Sequence, residues 1–426
     1  MSLINRVYAN PKYSKLFEWG RVISIAGSAQ ILVQATGLLT GILIIRMLPT
    51  KEYAFYTLAN TMLSTMTVLA DGGISAGVMA QGGKVWRDKK QLGLVLSTGL
   101  DLRRKFAVFS LLVAVPILIY LLLHQGATVW VILLIIATLI PSFYAALSDS
   151  LLEIVPKLHQ DIRPLQANQV MVNLFRMFLS TLSIFFPFTF IILLANGIPR
   201  MYGNMKLQKI VSKFAEGNQP PDAGYRKNII EIVKKMMPGS IYYCISGQIT
   251  IWLISFFGTT ESIAKIGALG RLSMVLSIFT VLFGTLITPR FARLPDNRTS
   301  LLSKFVTIQV VMVILCTAIC GIVYLFPQPA LWILGQKFQG LEVELTLSIL
   351  ASCLALMSGV FFSLSSSRGW PTHPAVLIIG NIIFVVTGAF LFNVSTLKGA
   401  LWFNIFINLY PVTIHSLNFY YKTFKK

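Results

Sequence analysis

The sequence predicts an all-α polytopic membrane protein of about twelve transmembrane helices, arranged as two six-helix lobes with both termini in the cytoplasm. Three observations support this fold class. Of the 426 residues, 55% are hydrophobic and 12% are charged, and the mean hydropathy of +0.73 is too high for a soluble globular domain. The apolar residues form runs, most of which are long enough to cross a hydrocarbon core about 30 Å thick. Lys and Arg concentrate between alternate runs.

The apolar runs number six in each half of the chain. They lie at residues 22–48, 53–81, 106–123, 129–152, 165–182 and 185–198, and then at 239–257, 262–287, 306–326, 343–364, 375–392 and 396–419. Only a turn around Pro187 separates the fifth run from the sixth. If these two were one span, the Lys-rich segment that follows would change sides, against the tendency of Lys and Arg to stay in the cytoplasm. We therefore predict two crossings there.

The basic charge of the chain follows from this topology. Most of the 36 Lys and Arg residues fall in segments that the topology places in the cytoplasm, and the formal net charge is +21. The positive-inside tendency and the anionic inner leaflet account for such a surface without nucleic acid. The first apolar run is too long for a signal peptide, so we expect it to remain as the first helix. The four cysteines lie in apolar runs without metal-ligand spacing, which predicts packing residues and no metal site.

An internal match suggests that the two lobes are repeats. Residues 50–64, "TKEYAFYTLANTMLS", align without gaps on residues 259–273, "TTESIAKIGALGRLS". Each segment opens an even-numbered span, and an even number of spans per half makes such a repeat parallel. We predict an N-terminal lobe at residues 1–203, a basic cytoplasmic linker at 204–236 and a C-terminal lobe at 237–426. Two similar lobes favour a transporter that binds its substrate between them and exposes it alternately to each face.

Three stretches resemble a known family. "GLLTGILIIRMLPTKEYAFYTLANTMLSTMTVLADGGISAG" is similar to the opening of bacterial polysaccharide and O-antigen repeat-unit flippases, "PGSIYYCISGQITIWLISFFG" to their helix 7, and "LWILGQKFQG" to the segment before their helix 10. The resemblance implies the multidrug/oligosaccharidyl-lipid/polysaccharide (MOP) exporter superfamily, with the fold of its multidrug antiporters.

For function, the resemblance implies a multi-pass protein of the bacterial cytoplasmic (inner) membrane. Its expected substrate is an undecaprenyl-diphosphate-linked oligosaccharide, moved from the cytoplasmic to the outer leaflet for O-antigen, capsule or exopolysaccharide synthesis. A polysaccharide polymerase and chain-length machinery are the expected protein partners.

Two arginines lie within predicted spans. By helical rise, Arg176 is about 18 Å and Arg271 about 13 Å into the bilayer, too deep to reach either surface easily. We predict that both line a central cavity and attract the diphosphate or acidic sugars, because a guanidinium stays charged and offers paired donors to phosphate oxygens. The alternative is a structural ion pair with Asp71 or Asp149. Arg46, nearer the outer end, is a further candidate, with snorkelling as the simpler explanation.

Asp71 lies in the stretch "MTVLADGGISAG", within the second span. It is either a counter-ion for an arginine or a site that couples H⁺ or Na⁺ movement to transport, and Asp149 is a second candidate for these roles. The glycines that follow, Gly73 and Gly77, have the spacing of Gly37 and Gly41 in the first span, which predicts close helix packing.

The remaining candidates are neutral polar side chains and alternative functions. Gln30, Gln34 and Asn60 are plausible sugar contacts, since Ser and Thr can bond their own helix. A cation-coupled multidrug antiporter remains an alternative, although the first span lacks the internal carboxylate that a cationic drug would require. A lipid II flippase is a closer rival. A glycan-modifying membrane enzyme is less favoured, because the four histidines have no acidic or nucleophilic partner at useful spacing. We therefore predict no catalytic residues and no resident cofactor.

Overall fold

Helices make up almost all of the described chain, which is residues 11–425 apart from 160, 218, 289, 290, 292, 293, 295, 296, 369 and 371 of this computed structural model. The described residues contain no strand, so the all-α prediction is confirmed. The helices are α1 (Pro11–Met47), α2 (Thr50–Asp71), α3 (Ile74–Val85), α4 (Lys89–His124), α5 (Val129–Leu152), α6 (Ile154–Leu158), α7 (Ile162–Ser180), α8 (Thr189–Val211), α9 (Ala223–Phe257), α10 (Thr260–Ser273), α11 (Ser277–Leu282), α12 (Arg298–Leu325), α13 (Pro327–Leu334), α14 (Glu342–Ser367), α15 (Pro374–Leu391) and α16 (Leu397–Lys425).

Every predicted apolar run overlaps at least one of these helices, and the run at 262–287 is divided among several consecutive helical segments. In the part of the chain that the structure describes, six helices are long and apolar enough to cross a membrane, or eight if each bent pair counts as one span. The crowded fifth and sixth runs form two helices, α7 and α8, which pack closely: the Asn168 amide donates to the Gly203 carbonyl at 3.0 Å. Helices α8 and α9 also extend into the predicted linker, which leaves residues 212–222 between them.

The second predicted span is broken at Asp71. Helices α2 and α3 meet there at an angle of 45°. The two residues between them, Gly72 and Gly73, have φ values of +48° and +99°, a backbone conformation that glycine adopts without the steric penalty of a Cβ. The "DGG" sequence therefore produces a bend in the span, beyond any role in close helix packing.

The chain forms two compact units. The first comprises Met1–Thr40, Met62–Ile117 and Leu133–Ile241. Its apolar core joins α3 to α9, with Val78 and Ile229 almost fully buried. This contact explains why α9 begins well before the predicted seventh span: its first turns bury an apolar face in the first unit.

The second unit comprises Gly41–Thr61, Leu118–Ile132 and Tyr242–Lys426. Two segments from the first half of the chain thus belong to a unit built mainly from the second half. The two segments matched as an internal repeat begin α2 and α10, and these helices pack on each other in this unit. A methyl group added at Gly267 would lie 2.4 Å from the Thr57 hydroxyl oxygen.

The surface of the helices is strongly apolar. Phe390, Trp130 and Phe185 are 88%, 78% and 75% exposed, which is expected where the solvent is lipid and not water. Among the cysteines, Cys316 and Cys353 are buried, and the Sγ atoms of Cys320 and Cys353 lie 4.0 Å apart. The side chain of Cys244 lies outside the described residues. No group of His, Cys, Asp or Glu within the described chain has the arrangement of a metal site.

Candidate functional site

Arg271 lies in the last turn of α10, beside two tyrosines of α2. Its guanidinium donates to the Tyr56 hydroxyl at 3.3 Å and lies 5.9 Å from the centre of the Tyr56 ring. It also bonds Tyr53, whose side chain is 1% exposed. Within the described residues no carboxylate pairs with Arg271. A half-buried cation whose partners are neutral phenols keeps its positive charge uncompensated.

Helix α1 makes room for this arginine with a glycine. A methyl group at Gly41 would lie only 3.3 Å from Cδ of Arg271. In the first unit Arg176 of α7 has the same relation to Gly37, where a methyl group would lie 3.5 Å from Nη2. Each of the two predicted arginines therefore lies against a glycine of α1, and the two glycines are one helical turn apart on one face.

The glycine spacing predicted close helix packing, and Gly73 and Gly77 do pack closely against another helix, α9. Methyl groups at these positions would lie 2.8 Å from Met236 Cβ and 2.8 Å from Ile229 Cγ2, respectively. The same four-residue spacing of glycines occurs where a helix packs closely, at Gly73 and Gly77, and where an arginine side chain lies against the helix, at Gly37 and Gly41. The spacing alone therefore does not tell which kind of contact a glycine pair makes.

The predicted sugar contacts share helix faces with these residues. Gln34 precedes Gly37 and Gly41 by three and seven positions, so the three lie on one face of α1. The backbone register puts Gln30 on that face as well, although its side chain lies outside the described part. Asn60 of α2 stands at i+7 from Tyr53 and is half-buried.

Tyr53 and Tyr56 were not selected from the sequence. Their spacing from Asn60, at i, i+3 and i+7, was a usable signal, because it places the three on one helical face. Tyrosines near a helix start are also typical of the membrane interface, so their spacing alone does not identify a site.

Asp71 has an arginine as its counter-ion, but the arginine is Arg103 of α4. The Asp71 carboxylate pairs with the guanidinium of Arg103, whose side chain is 2% exposed. The same carboxylate accepts a hydrogen bond from the Ser75 backbone N–H at 3.1 Å. It therefore both balances a buried charge and caps the start of α3, where a negative group is stabilised by the helix dipole. Arg103 also donates to the Ser75 hydroxyl and the Leu147 carbonyl. Charge counting had placed Arg103 in a cytoplasmic segment.

Asp149 of α5 is also paired within the first unit. It accepts from Nε of Arg200 at 3.1 Å and from the Asn204 amide at 2.7 Å. Both partners lie on α8. The two acids predicted as counter-ions or coupling sites thus face Arg103 and Arg200.

Arg46 holds the end of a short helix. Its guanidinium donates to the carbonyls of Trp332 and Ile333 at 2.5 and 2.9 Å and lies 5.0 Å from the centre of the Trp332 ring. These carbonyls belong to the last turn of α13, where a cation is favoured by the helix dipole.

Similar bonds join other segments of the second unit. The Lys337 ammonium donates to the Leu48 carbonyl at 2.8 Å, the Gln125 amide donates to the Ser255 carbonyl at 3.0 Å, and the Thr260 hydroxyl donates to Gln125 at 2.7 Å. The clasp, as we call this set, consists of Arg46, Leu48, Gln125, Ser255, Thr260, Trp332, Ile333 and Lys337. All of its members lie at helix ends that the predicted topology assigns to the outer face.

The fold is that of known transporters. The chain is similar to an inward-facing multidrug resistance MATE family transporter of the MOP superfamily, with a TM-score of 0.68 and 12% identity over 92% of this chain and 94% of the other. It is similar to the lipid II flippase MurJ in an inward closed conformation, with a TM-score of 0.70 and 12% identity over 93% of this chain and 86% of MurJ.

A third similar structure is a MOP superfamily transporter from Pyrococcus furiosus with a binding pocket of reversed polarity, with a TM-score of 0.60 and 13% identity over 95% of both chains. No protein-family model matches the sequence, and no curated protein matches it either. At this level of identity the likeness establishes the fold. The three neighbours are transporters or flippases and not enzymes.

Proposed function

We propose that this protein is a flippase, and that it moves an undecaprenyl-diphosphate-linked oligosaccharide from the cytoplasmic to the outer leaflet of a bacterial cytoplasmic membrane. The single observation that carries the proposal is Arg271, a cation within a membrane helix whose partners are the neutral Tyr53 and Tyr56. An uncompensated charge at such a place is costly and is retained when function requires it. A diphosphate group supplies the missing anion, and its oxygens match the paired donors of a guanidinium.

Arg176 supports the same proposal from the first unit. Like Arg271, it lies over a glycine of α1, and Gln34 lies on that same helix face. Within the first unit, this face would then offer the substrate one further cation and amide groups for the sugars. Asn60, on the face of α2 that carries the two tyrosines, would add a further sugar contact. The likeness to the lipid II flippase MurJ supports a lipid-linked substrate.

The clasp supports transport by alternating access. Its hydrogen bonds all lie within the second unit and join helix ends that the predicted topology puts on the outer side. Releasing the substrate outward would require these bonds to break and re-form in each cycle. The bonds are few, and each contributes about 0.5–1.5 kcal/mol in net free energy, which is small enough for such a cycle. Once outside, the repeat unit would pass to a polysaccharide polymerase and its chain-length machinery.

A cation-coupled multidrug antiporter is the second candidate, favoured by the likeness to MATE transporters. In that case H⁺ or Na⁺ would bind at Asp71 or Asp149. Each of these carboxylates is paired with an arginine, so a coupling ion would have to displace a guanidinium or be transferred through a state in which the pair is open. The same coupling could also drive the flippase.

The experiment that tests the proposal is complementation of a deletion strain with the wild type, Arg271→Ala or Lys265→Ala. Lys265 lies on the same helix and forms an ion pair with Glu261 one turn away, so its variant controls for losing a positive charge from α10. Export of surface glycan and the leaflet in which the lipid-linked repeat unit accumulates are measured, with membrane protein levels as a check. We expect cytoplasmic-leaflet accumulation in the deletion strain and with Arg271→Ala, and normal export with Lys265→Ala. Normal glycan in the deletion strain, together with increased drug sensitivity, would instead favour the antiporter.

A further inference from the structure

The second unit contains a polar cavity that the proposed diphosphate contacts do not use. It has a volume of about 520 Å³ and lies among α9, α14, α15 and α16. This volume falls within the roughly 300–1,000 Å³ of small-molecule sites. The polar residues that matter for its chemistry are Tyr242, Ser246, Ser358, Asn381, Asn404 and Asn408.

The chemistry of the lining is neutral. Among the described residues that line the cavity there is no Asp, Glu, Lys or Arg. His415 contributes one ring edge, and its Nδ1 is already 2.7 Å from the Thr372 hydroxyl. Helices α14 and α15 are apolar enough to cross a membrane, where amide and hydroxyl groups are costly unless they meet polar partners. A concentration of them around one space therefore indicates a polar occupant.

Two of these groups have hydrogen-bonding capacity to spare. The Asn408 amide nitrogen donates to the backbone and side-chain oxygens of Asn404 at 2.8 and 2.9 Å. Its own Oδ1 accepts no hydrogen bond from the described residues, and the Ser358 hydroxyl has no partner among them. An acceptor and a hydroxyl thus remain available on two facing helices, α16 and α14.

This pattern selects one class of ligand. A lipid tail would leave the open oxygen and hydroxyl without partners. An anion would find no cation on the wall, and a cation would find no carboxylate. A compact neutral molecule with many hydroxyls satisfies both the open acceptor and the open hydroxyl. The rings of Tyr242 and Phe362 add apolar surface of the kind that covers the C–H face of a sugar.

We propose that this cavity binds an uncharged sugar ring. The inference rests on the proposed function, because the ring would belong to the oligosaccharide whose diphosphate is held elsewhere by arginine. Substrate choice would then be divided: the arginines recognise the anionic linkage that all such lipids share, and the neutral cavity distinguishes one sugar from another.

The test measures thermal unfolding of the purified full chain in detergent with increasing concentrations of single sugars. The probes are a neutral hexose, a 6-deoxyhexose, an N-acetylhexosamine and a hexuronic acid. Sodium chloride is compared with choline chloride to test whether the cavity binds a cation. We expect at least one neutral sugar to raise the melting temperature, and the hexuronic acid and sodium to have no specific effect. In Asn408→Leu the apparent affinity should fall about tenfold, as expected for one lost hydrogen bond.

Two further variants make the test decisive. Ser358→Ala removes only the open hydroxyl and should also weaken sugar binding, which protects the test if Asn408→Leu does not fold. Thr413→Val is the matched control, because Thr413 lies on α16 but donates to the carbonyls of its own helix. It should bind the sugar as the wild type does.

The proposal is overturned if no neutral sugar stabilises the wild type, or if stabilisation survives in both cavity variants. Stabilisation by sodium that is lost in Asn408→Leu would assign the cavity to a cation and overturn it as well. Because free sugars carry no diphosphate, Arg271→Ala should keep the sugar effect. A failure of the sugar test therefore leaves the flippase proposal standing, and a failure of glycan export tests that proposal separately.

Discussion

Arg103 and Arg271 both lie in helical segments long and apolar enough to cross a membrane, Lys89–His124 and Thr260–Thr280, but their partners differ. Arg103 is 2% exposed and faces the carboxylate of Asp71. Arg271 faces two tyrosines and no carboxylate within the described residues. The first arrangement neutralises its charge inside the protein, and the second does not. The partners of a buried or half-buried arginine thus indicate whether it stabilises the fold or is available to a substrate.

The largest expected effect on stability belongs to the neutralised pair. Arg103→Ala leaves Asp71, which is 32% exposed, at the start of α3 without its counter-ion. Because solvent partly screens this carboxylate, the loss should lie below the full cost of breaking a buried pair, at about 2 kcal/mol of unfolding free energy. Thermal unfolding of the purified variant measures the loss. Lys105→Ala is the control on the same helix, because its pair with Asp101 involves a 60% exposed side chain and should change stability little. A variant Arg103→Ala as stable as Lys105→Ala would contradict the structural role.

The reverse profile is expected for Arg271. Arg271→Ala should leave the melting temperature close to that of the wild type and reduce translocation about tenfold to a hundredfold, since hydrogen bonds to charged groups contribute about 1.5–3 kcal/mol. Arg271→Lys should retain part of the activity, because an ammonium keeps the charge but loses the paired donors. Flipping of a fluorescent lipid-linked oligosaccharide in proteoliposomes measures both variants. If Arg271→Ala unfolds as readily as Arg103→Ala, the distinction between the two arginines fails.

The same comparison shows how far sequence reasoning reached. The twelve apolar runs predicted where helices form, because burial in lipid requires continuous apolar stretches and this requirement is local. The positions of Arg176 and Arg271 along their helices also followed from the sequence. The partner of Asp71 could not, since Arg103 lies on another helix and the pairing depends on how helices pack.

The bend at Asp71 shows another limit. "DGG" can serve as a packing motif or as a break, and only the positive φ values of Gly72 and Gly73 distinguish these. The neutral cavity was missed because its residues come from four helices and have no common spacing in the chain.

A smaller effect is expected at the glycines of α1. At Gly41 a methyl group would lie 3.3 Å from Arg271 Cδ, whereas at Gly37 it would lie 3.5 Å from the mobile end of Arg176. Gly41→Val should therefore displace Arg271 and reduce translocation severalfold, through overpacking of about 1–3 kcal/mol. Gly37→Ala should be nearly neutral, because its contact is of ordinary van der Waals length. Equal effects of the two substitutions in the proteoliposome assay would show that Arg271 does not depend on its glycine.

The smallest effect is expected at the clasp, where the charge is again satisfied but at an exposed position. Arg46→Ala removes two hydrogen bonds to the Trp332 and Ile333 carbonyls, worth about 1 kcal/mol in net free energy at such a site. In the proposed cycle these bonds break when the protein opens outward, so their loss should shift the equilibrium about fivefold toward the open state without unfolding the protein. A cysteine at Leu48, labelled from outside with an impermeant maleimide, reports the shift as faster labelling in Arg46→Ala. The exposed Lys398→Ala, whose contact with Glu344 spans 3.9 Å, is the control and should leave labelling unchanged. Equal labelling rates in all three proteins would mean that Arg46 only caps α13, and that other bonds of the clasp determine its opening.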